Sequence, residues 1–231
     1  MDGLVWTKER REPRRRAPSV ERFVTRAVAI ADAEGVDAVS MRRVAKDLGS
    51  GTASLYRYIA GRDELLDLMI DAVQGEDALP APSGDWRADL RECALRLRTL
   101  LLRHPWLGAE LTGRPALGPN SLRWYDTVLA VAGTLTSDAT LAALAVDTVT
   151  AYVLGAVGGE IAELQASRRT GMTEDEWRAS VGPYIREVVG GGEYPHFARR
   201  VAEAGDVPAE RSFELGLACV LDGLAARIPR T

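Results

Sequence analysis

The chain has 231 residues, 46% hydrophobic and 27% charged. That is enough for a buried core in one large or two small domains, and it argues against a disordered or fibrous protein. Its two cysteines, Cys93 and Cys219, are too few for a disulfide framework and read as small core hydrophobes on helices. The opening MDGLVWTKERREPRRRAPS has cations but no apolar stretch behind them, so no export signal is expected. No run of about 18 apolar residues is expected to span a membrane.

The net charge of −4 conceals an asymmetry. Residues 1–66 carry 13 basic and 10 acidic side chains, a balance of +3, and the remainder carries 16 and 23, a balance of −7. A basic front end on an acidic body points to a polyanion-binding module joined to a domain with another task.

Residues 1–18 read as a basic arm, disordered in the free protein. Lys8, Arg10, Arg11, Arg14, Arg15 and Arg16 are interrupted by Pro13 and Pro18, a composition suited to phosphates or a minor groove. Ser19 then caps a first helix whose stripe is Phe23, Ala27, Ile30 and Ala31, closed by Gly35. A second helix follows Ser40, buries Met41, Val44, Ala45 and Leu48, and stops at Gly49. Ser50 and Gly51 form a turn. A third helix of roughly 10 Å runs from Thr52 to Tyr58 with Leu55 and Ile59 inward. A fourth opens at Arg62 or Asp63 and carries Leu65, Leu66, Met69, Ile70 and Val73.

Gly75 and the segment LPAPSGD, Leu79 to Asp85, end this helix and mark a domain boundary in the composition. A fifth helix spans Trp86 to Arg103, His104-Pro105 breaks it, and a short helix lies around Trp106 to Leu111. After a Gly/Pro loop, Asn120 is expected to cap a helix carrying Leu122, Tyr125, Leu129 and Ala132. A long Ala/Val/Leu-rich helix should run from Ser137 or Asp138 to about Gln165, followed by a polar gap at Ser167 to Gly171. Helices over Thr173–Val189, His196–Ala204 and Ala209–Arg227 complete the chain. No β-alternation is present. The expected fold is all-α: a three-helix helix-turn-helix DNA-binding domain at 19–66 and a helical ligand-binding and dimerisation domain at 67–231.

The third helix carries the chemistry. Thr52, Ser54, Tyr56 and Arg57 occupy the side that Leu55 and Ile59 leave free. Hydroxyls serve phosphates and base edges, and an arginine can grip guanine through two hydrogen bonds. Arg42 and Arg62 flank this helix. Periodicity alone leaves a second possibility equally open, a short connector with an ordinary solvated face.

Motif spacing separates the two. Ser40 entering the second helix, Val44-Ala45, Gly49, Ser54-Leu55-Tyr56, then Arg62 and Leu65-Leu66 resemble, without a break in spacing, the DNA-binding domain of TetR-family transcriptional regulators. The resemblance implies that Arg42, Thr52, Ala53, Ser54, Tyr56, Arg57 and Arg62 face DNA. Ser40, Met41, Gly51 and Tyr58 complete the implied contact set. Two positions depart from the family's pattern: Gly51 offers no side chain, and Arg62 stands where lysine is commoner.

The second half resembles, in patches, the tetracycline repressor's type of C-terminal domain. The patches are Gly113-Arg114-Pro115, Leu154-Gly155-Ala156-Val157 and Glu210 to Leu224. This implies a homodimer built through a four-helix interface. Gly155 and Gly159 would permit close approach, and Phe213, Leu217, Leu221 and Leu224 would supply the apolar stripe. The His and Glu that help hold the drug's metal in that repressor fall at Glu110 and Gly159, so no metal–tetracycline site is expected. With two histidines far apart, neither a metal nor a cofactor is expected.

Trp106, Trp124, Tyr125 and Tyr152 are mostly core residues that could line a cavity for a flat apolar ligand. His104, Glu110 and Glu160 complete the candidate pocket, although His104 at a helix break reads first as a capping side chain. The expected function is a homodimeric repressor of the bacterial cytoplasm and nucleoid. It would bind palindromic double-stranded operator DNA and be released by a small apolar or aromatic effector. A constitutive DNA-binding protein and an all-α small-molecule enzyme are the competing possibilities. The enzyme lacks a nucleophile–base pairing or a Gly-rich phosphate loop.

Overall fold

Helix boundaries follow local capping chemistry. In the computed structural model, residues 5–7, 19–113 and 115–229 are described. The basic run Lys8 to Arg16 and Arg114 lie outside the described residues. Ser19 accepts from the Arg22 N–H at the start of α1 (Val20–Glu34), and Gly35, at φ 89°, ends it. Ser40 does the same for α2 (Met41–Asp47) through the Arg43 N–H. Gly49 takes the left-handed φ of 63° at the turn, and the N–H of Ser50 reaches back to the Ala45 carbonyl at 2.8 Å. Next come α3 (Thr52–Tyr56) and α4 (Arg62–Gln74). Phe23, Ile30, Leu55, Ile59, Leu65 and Met69 are fully buried together, each worth about 1.5–3 kcal/mol of transfer free energy.

The larger domain is built from α5 (Trp86–Arg103), α6 (Leu107–Leu111), α7 (Pro119–Ala132), α8 (Ala139–Thr170), α9 (Glu174–Gly190), α10 (Pro195–Glu203) and α11 (Ala209–Arg227). Helix α8 packs on α5, α7 and α11, and α4 packs on both α1 and α7. Helix α4 runs unbroken through position 66, where the sequence divided the domains, so one rigid rod belongs to both halves. No strand occurs among the described residues.

Five expectations are corrected. Asn120 does not cap α7, which begins at Pro119. Its first turn is capped instead from α4: Asp71, 5% exposed, accepts from the N–H groups of Asn120 and Ser121 at 2.8 and 3.0 Å and from the Ser121 hydroxyl at 3.3 Å. The inward stripe of α7 is therefore Ser121, Val128, Val131 and Ala132, while Leu122 and Tyr125 are exposed. Helix α8 continues through the expected polar gap to Gly171 at φ 71°, helped by Arg168 and Arg169 at the negative end of its dipole. It is also long and apolar enough, by length and composition, to cross a membrane, contrary to expectation. Finally, Cys93 is buried, with burial first among the causes that push its thiol up to about 11, whereas Cys219 is exposed on α11.

Candidate nucleic-acid interface and sensor site

The reader face is assembled around α3. Gly51, Ala53, Tyr56 and Arg57 are exposed, Thr52, Ser54 and Tyr58 are half-buried, and Leu55 and Ile59 anchor the helix from beneath. Tyr56 is 53% exposed. Arg57 lies over the Tyr58 ring at 5.7 Å. Ser40 and Arg42 are exposed on the rim. Met41 is not part of this surface: it is 6% exposed and packs into the domain core, because the residue after an N-cap serine turns its side chain under the helix here.

Cations in this domain divide into two groups. Arg26 and Arg43 meet Asp47 at 2.5 and 3.3 Å, and Arg43 also meets Glu34 at 2.8 Å. The Arg26 guanidinium, chiefly through its hydrogen bond, holds the Asp47 carboxyl below the usual carboxylate range. Arg62 is likewise engaged. Its guanidinium donates to the carbonyls of Val36 at 3.0 Å and Val39 at 3.2 Å, so it braces the turn before α2 while remaining exposed. Arg42, Lys46 and Arg57 form no ion pair among the described residues and are exposed. Lys46 was missed in the sequence because it falls outside the quoted motif positions; its place on the outer face of α2 reveals it.

The expected pocket residues are not brought together. His104 is 3% exposed and ends α5. Its Nδ1 faces Asp32 of α1 at 2.8 Å and its Nε2 faces Glu76, just beyond α4, at 3.1 Å. Trp106 donates its indole N–H to the same Asp32 oxygen at 2.7 Å. These two residues tie the reader to the larger domain rather than lining a cavity. Glu110 is half-buried on α6, and Tyr125 is 43% exposed on α7. Trp124 borders a small recess between α4, α5 and α7 with Arg96 and Gln74. Tyr152 and Glu160 line a separate open cleft of about 790 Å³ between α8, α9 and α11. There Tyr152 donates to the Phe213 carbonyl at 2.7 Å, and Glu160 pairs with Arg98 at 2.7 Å.

Among the described residues, no three metal-ligating side chains come together. The expected dimer stripe is also corrected. Phe213, Leu217, Leu221 and Leu224 are buried within the single chain, with α11 packed on α8, so they cannot form the free face. The open face of α8 includes Leu144, Thr148, Ala151, Gly155, Gly158, Gly159 and Ala162, and that of α11 includes Leu215, Cys219, Asp222 and Gly223. A Cβ at Gly155, Gly158, Gly159 or Gly223 would meet nothing within 4 Å.

A short helix with a free polar face, braced by a helix-turn-helix and joined by one rod to a separate helical domain, defines a DNA-binding regulator with a sensory body. The comparisons agree with that class. Residues 24–69 match the model for bacterial regulatory proteins of the tetR family, and residues 79–228 match that for the tetracyclin repressor-like C-terminal domain. The HTH-type transcriptional repressor DrrR1 of Streptomyces coeruleorubidus is 42% identical over 226 residues, covering 96% of this chain and 83% of that protein. The class A tetracycline repressor from transposon 1721 of Escherichia coli is 30% identical over 200 residues, covering 84% of each. Among solved structures, the Streptomyces coelicolor TetR family protein ActR in complex with actinorhodin superposes with a TM-score of 0.72 at 32% identity, covering 90% of this chain and 96% of that one. The chain belongs to the TetR family of transcriptional regulators.

Proposed function

We propose that two copies of this chain pair through the open faces of α8 and α11 and hold their α3 helices in successive major grooves of a palindromic operator. The grooves are roughly 34 Å apart. Tyr56, Arg57, Thr52 and Ser54 read and position; Arg42 and Lys46 neutralise phosphates at the rim. The protein acts as a repressor in the bacterial cytoplasm. A small-molecule effector in the helical body releases it by binding better to a dimer whose reader spacing misfits DNA. That ActR has been solved in complex with actinorhodin and with (S)-DNPA supports effector binding in a body of this shape.

The observation that carries this reading is helix α4. Its first turns seal the reader core through Leu65 and Met69, and Asp71 on the same rod caps α7. A shift of α7 therefore reaches the reader through a stiff element. The test is selection of bound sequences from a random DNA pool with the purified protein. An inverted repeat with half-site centres about one helical turn apart is expected; recovery of no repeated element overturns the proposal.

A further inference from the structure

We propose that His104 is a proton-dependent clamp between the reader and the body, so that operator affinity falls as pH rises through the range in which an imidazole gives up its proton. This rests on operator binding and does not involve a small-molecule effector.

Three elements meet at this clamp. His104 closes α5, and its backbone is held by the helix end. Its N–H donates to the Leu100 carbonyl and its carbonyl accepts from the Leu107 N–H, both at 2.9 Å. The ring is thereby fixed to the body, and it is buried. Its nitrogens face carboxylates on different elements: Nδ1 faces Asp32 of α1, in the reader, and Nε2 faces Glu76, just beyond the α4 rod. The other charged groups here are Arg103 of α5, which meets Glu76 at 2.9 Å, and Asp77, which meets Arg103 at 3.3 Å. Trp106 donates to Asp32 at 2.7 Å. Each carboxylate thus keeps one other donor, the indole or the guanidinium, whatever the state of His104.

The ring has two settings. A neutral imidazole has one N–H and one lone pair. Whichever nitrogen keeps the hydrogen, the other turns its lone pair on a carboxylate oxygen, at 2.8 Å on the Asp32 side or 3.1 Å on the Glu76 side. One arm of the clamp is then lost, and little of the ring is open to water that could replace it. An imidazolium donates through both nitrogens, and both bonds become charge-assisted. The proton therefore decides whether α1, the end of α4 and the end of α5 are fastened together. A fastened reader is preorganised for one spacing, and preorganisation raises affinity. By linkage, an operator complex that favours the clamped state takes up protons on forming, so its affinity is greatest in mild acid and falls towards pH 8. Histidine is the side chain whose ordinary charge change lies in this interval, and the chain has two. The second, His196, is exposed on α10, away from the joint, and serves as the control.

The experiment measures binding of the full chain, at constant salt, to the DNA recovered by the selection described above, from about pH 6 to pH 8. The wild type and His196→Ala should lose about tenfold in affinity across that range. His104→Gln and Asp32→Asn should flatten the profile. In Asp32→Asn the amide can donate to a neutral His104 and accept from Trp106, so the clamp closes without a proton. A change that only loosened the fold would lower the whole curve and keep its slope. A second measurement needs no variant: binding enthalpies of the wild type in buffers of different ionisation heat count the protons taken up. A tenfold fall over two pH units corresponds to about half a proton per dimer. Wild-type affinity independent of pH, with no proton uptake, keeps operator binding and overturns the clamp. An equal slope in the wild type and in Asp32→Asn or His104→Gln overturns it as well.

Discussion

Asp47 shows what individual residues contribute here. Arg26 and Arg43 converge on it from α1 and α2, and its carboxyl is held below the ordinary range. A group whose folded pKa is depressed contributes stability that is present above its unfolded value, about 3.9, and lost as pH falls through the folded value. Hydrogen exchange of the α1 and α2 amides should therefore accelerate more steeply in acid for the wild type than for Asp47→Asn. Equal profiles would show that the network adds nothing. Asp71 is the second case. Asp71→Ala leaves the first-turn donors of α7 without their buried acceptor, which costs about 2–3 kcal/mol and should lower Tm by roughly 5–10 °C. Such pairings were not legible in the sequence. Asn120 looked like a cap because only local chemistry is visible there, whereas the real cap comes from a residue 49 positions earlier. Arg62 and His104 show the same limit: the sequence gives a residue type and a spacing, but not the carbonyls or carboxylates that fold against it.

Helices were easier to read than their faces. The boundaries of α5 and α11 follow directly from periodicity and punctuation, and the Ser19 and Ser40 caps sit where expected. The assignment of faces failed where a helix is apolar nearly all round. Helix α11 offers Phe213, Leu217, Leu221 and Leu224 on one side and Leu215 and Cys219 on another, and only packing decides that the first set is used within the chain. The glycine and alanine face of α8 is left open, and this gives a test of pairing. A Cβ at Gly155 meets nothing within 4 Å and the position is exposed, so with Gly155→Leu the fold should survive with unchanged helicity. The added bulk should nonetheless displace the dimer towards monomer in sedimentation. An undisturbed dimer would place the interface elsewhere.

At the scale of the whole molecule, the chain joins a small basic reader to an acidic body through one continuous rod. Overall charge asymmetry and the motif from Ser40 to Leu66 made the reader legible. The sensor was not, because cavity-lining residues come from helices distant in sequence, and aromatic residues alone do not say which of them share a cavity. Trp106 went to the joint between domains and Trp124 to the recess with Arg96. The account's central claim is that α3 is a DNA reader acting through its free polar face. It is tested most directly by equilibrium binding to the selected palindrome as a function of salt, for the wild type and for the double variant Tyr56→Ala, Arg57→Ala. The wild type should bind with an affinity that falls steeply with salt. The double variant should lose about 10- to 100-fold in affinity and flatten the salt slope by about one for each phosphate contact removed. Binding by the double variant with unchanged affinity and slope would contradict the claim.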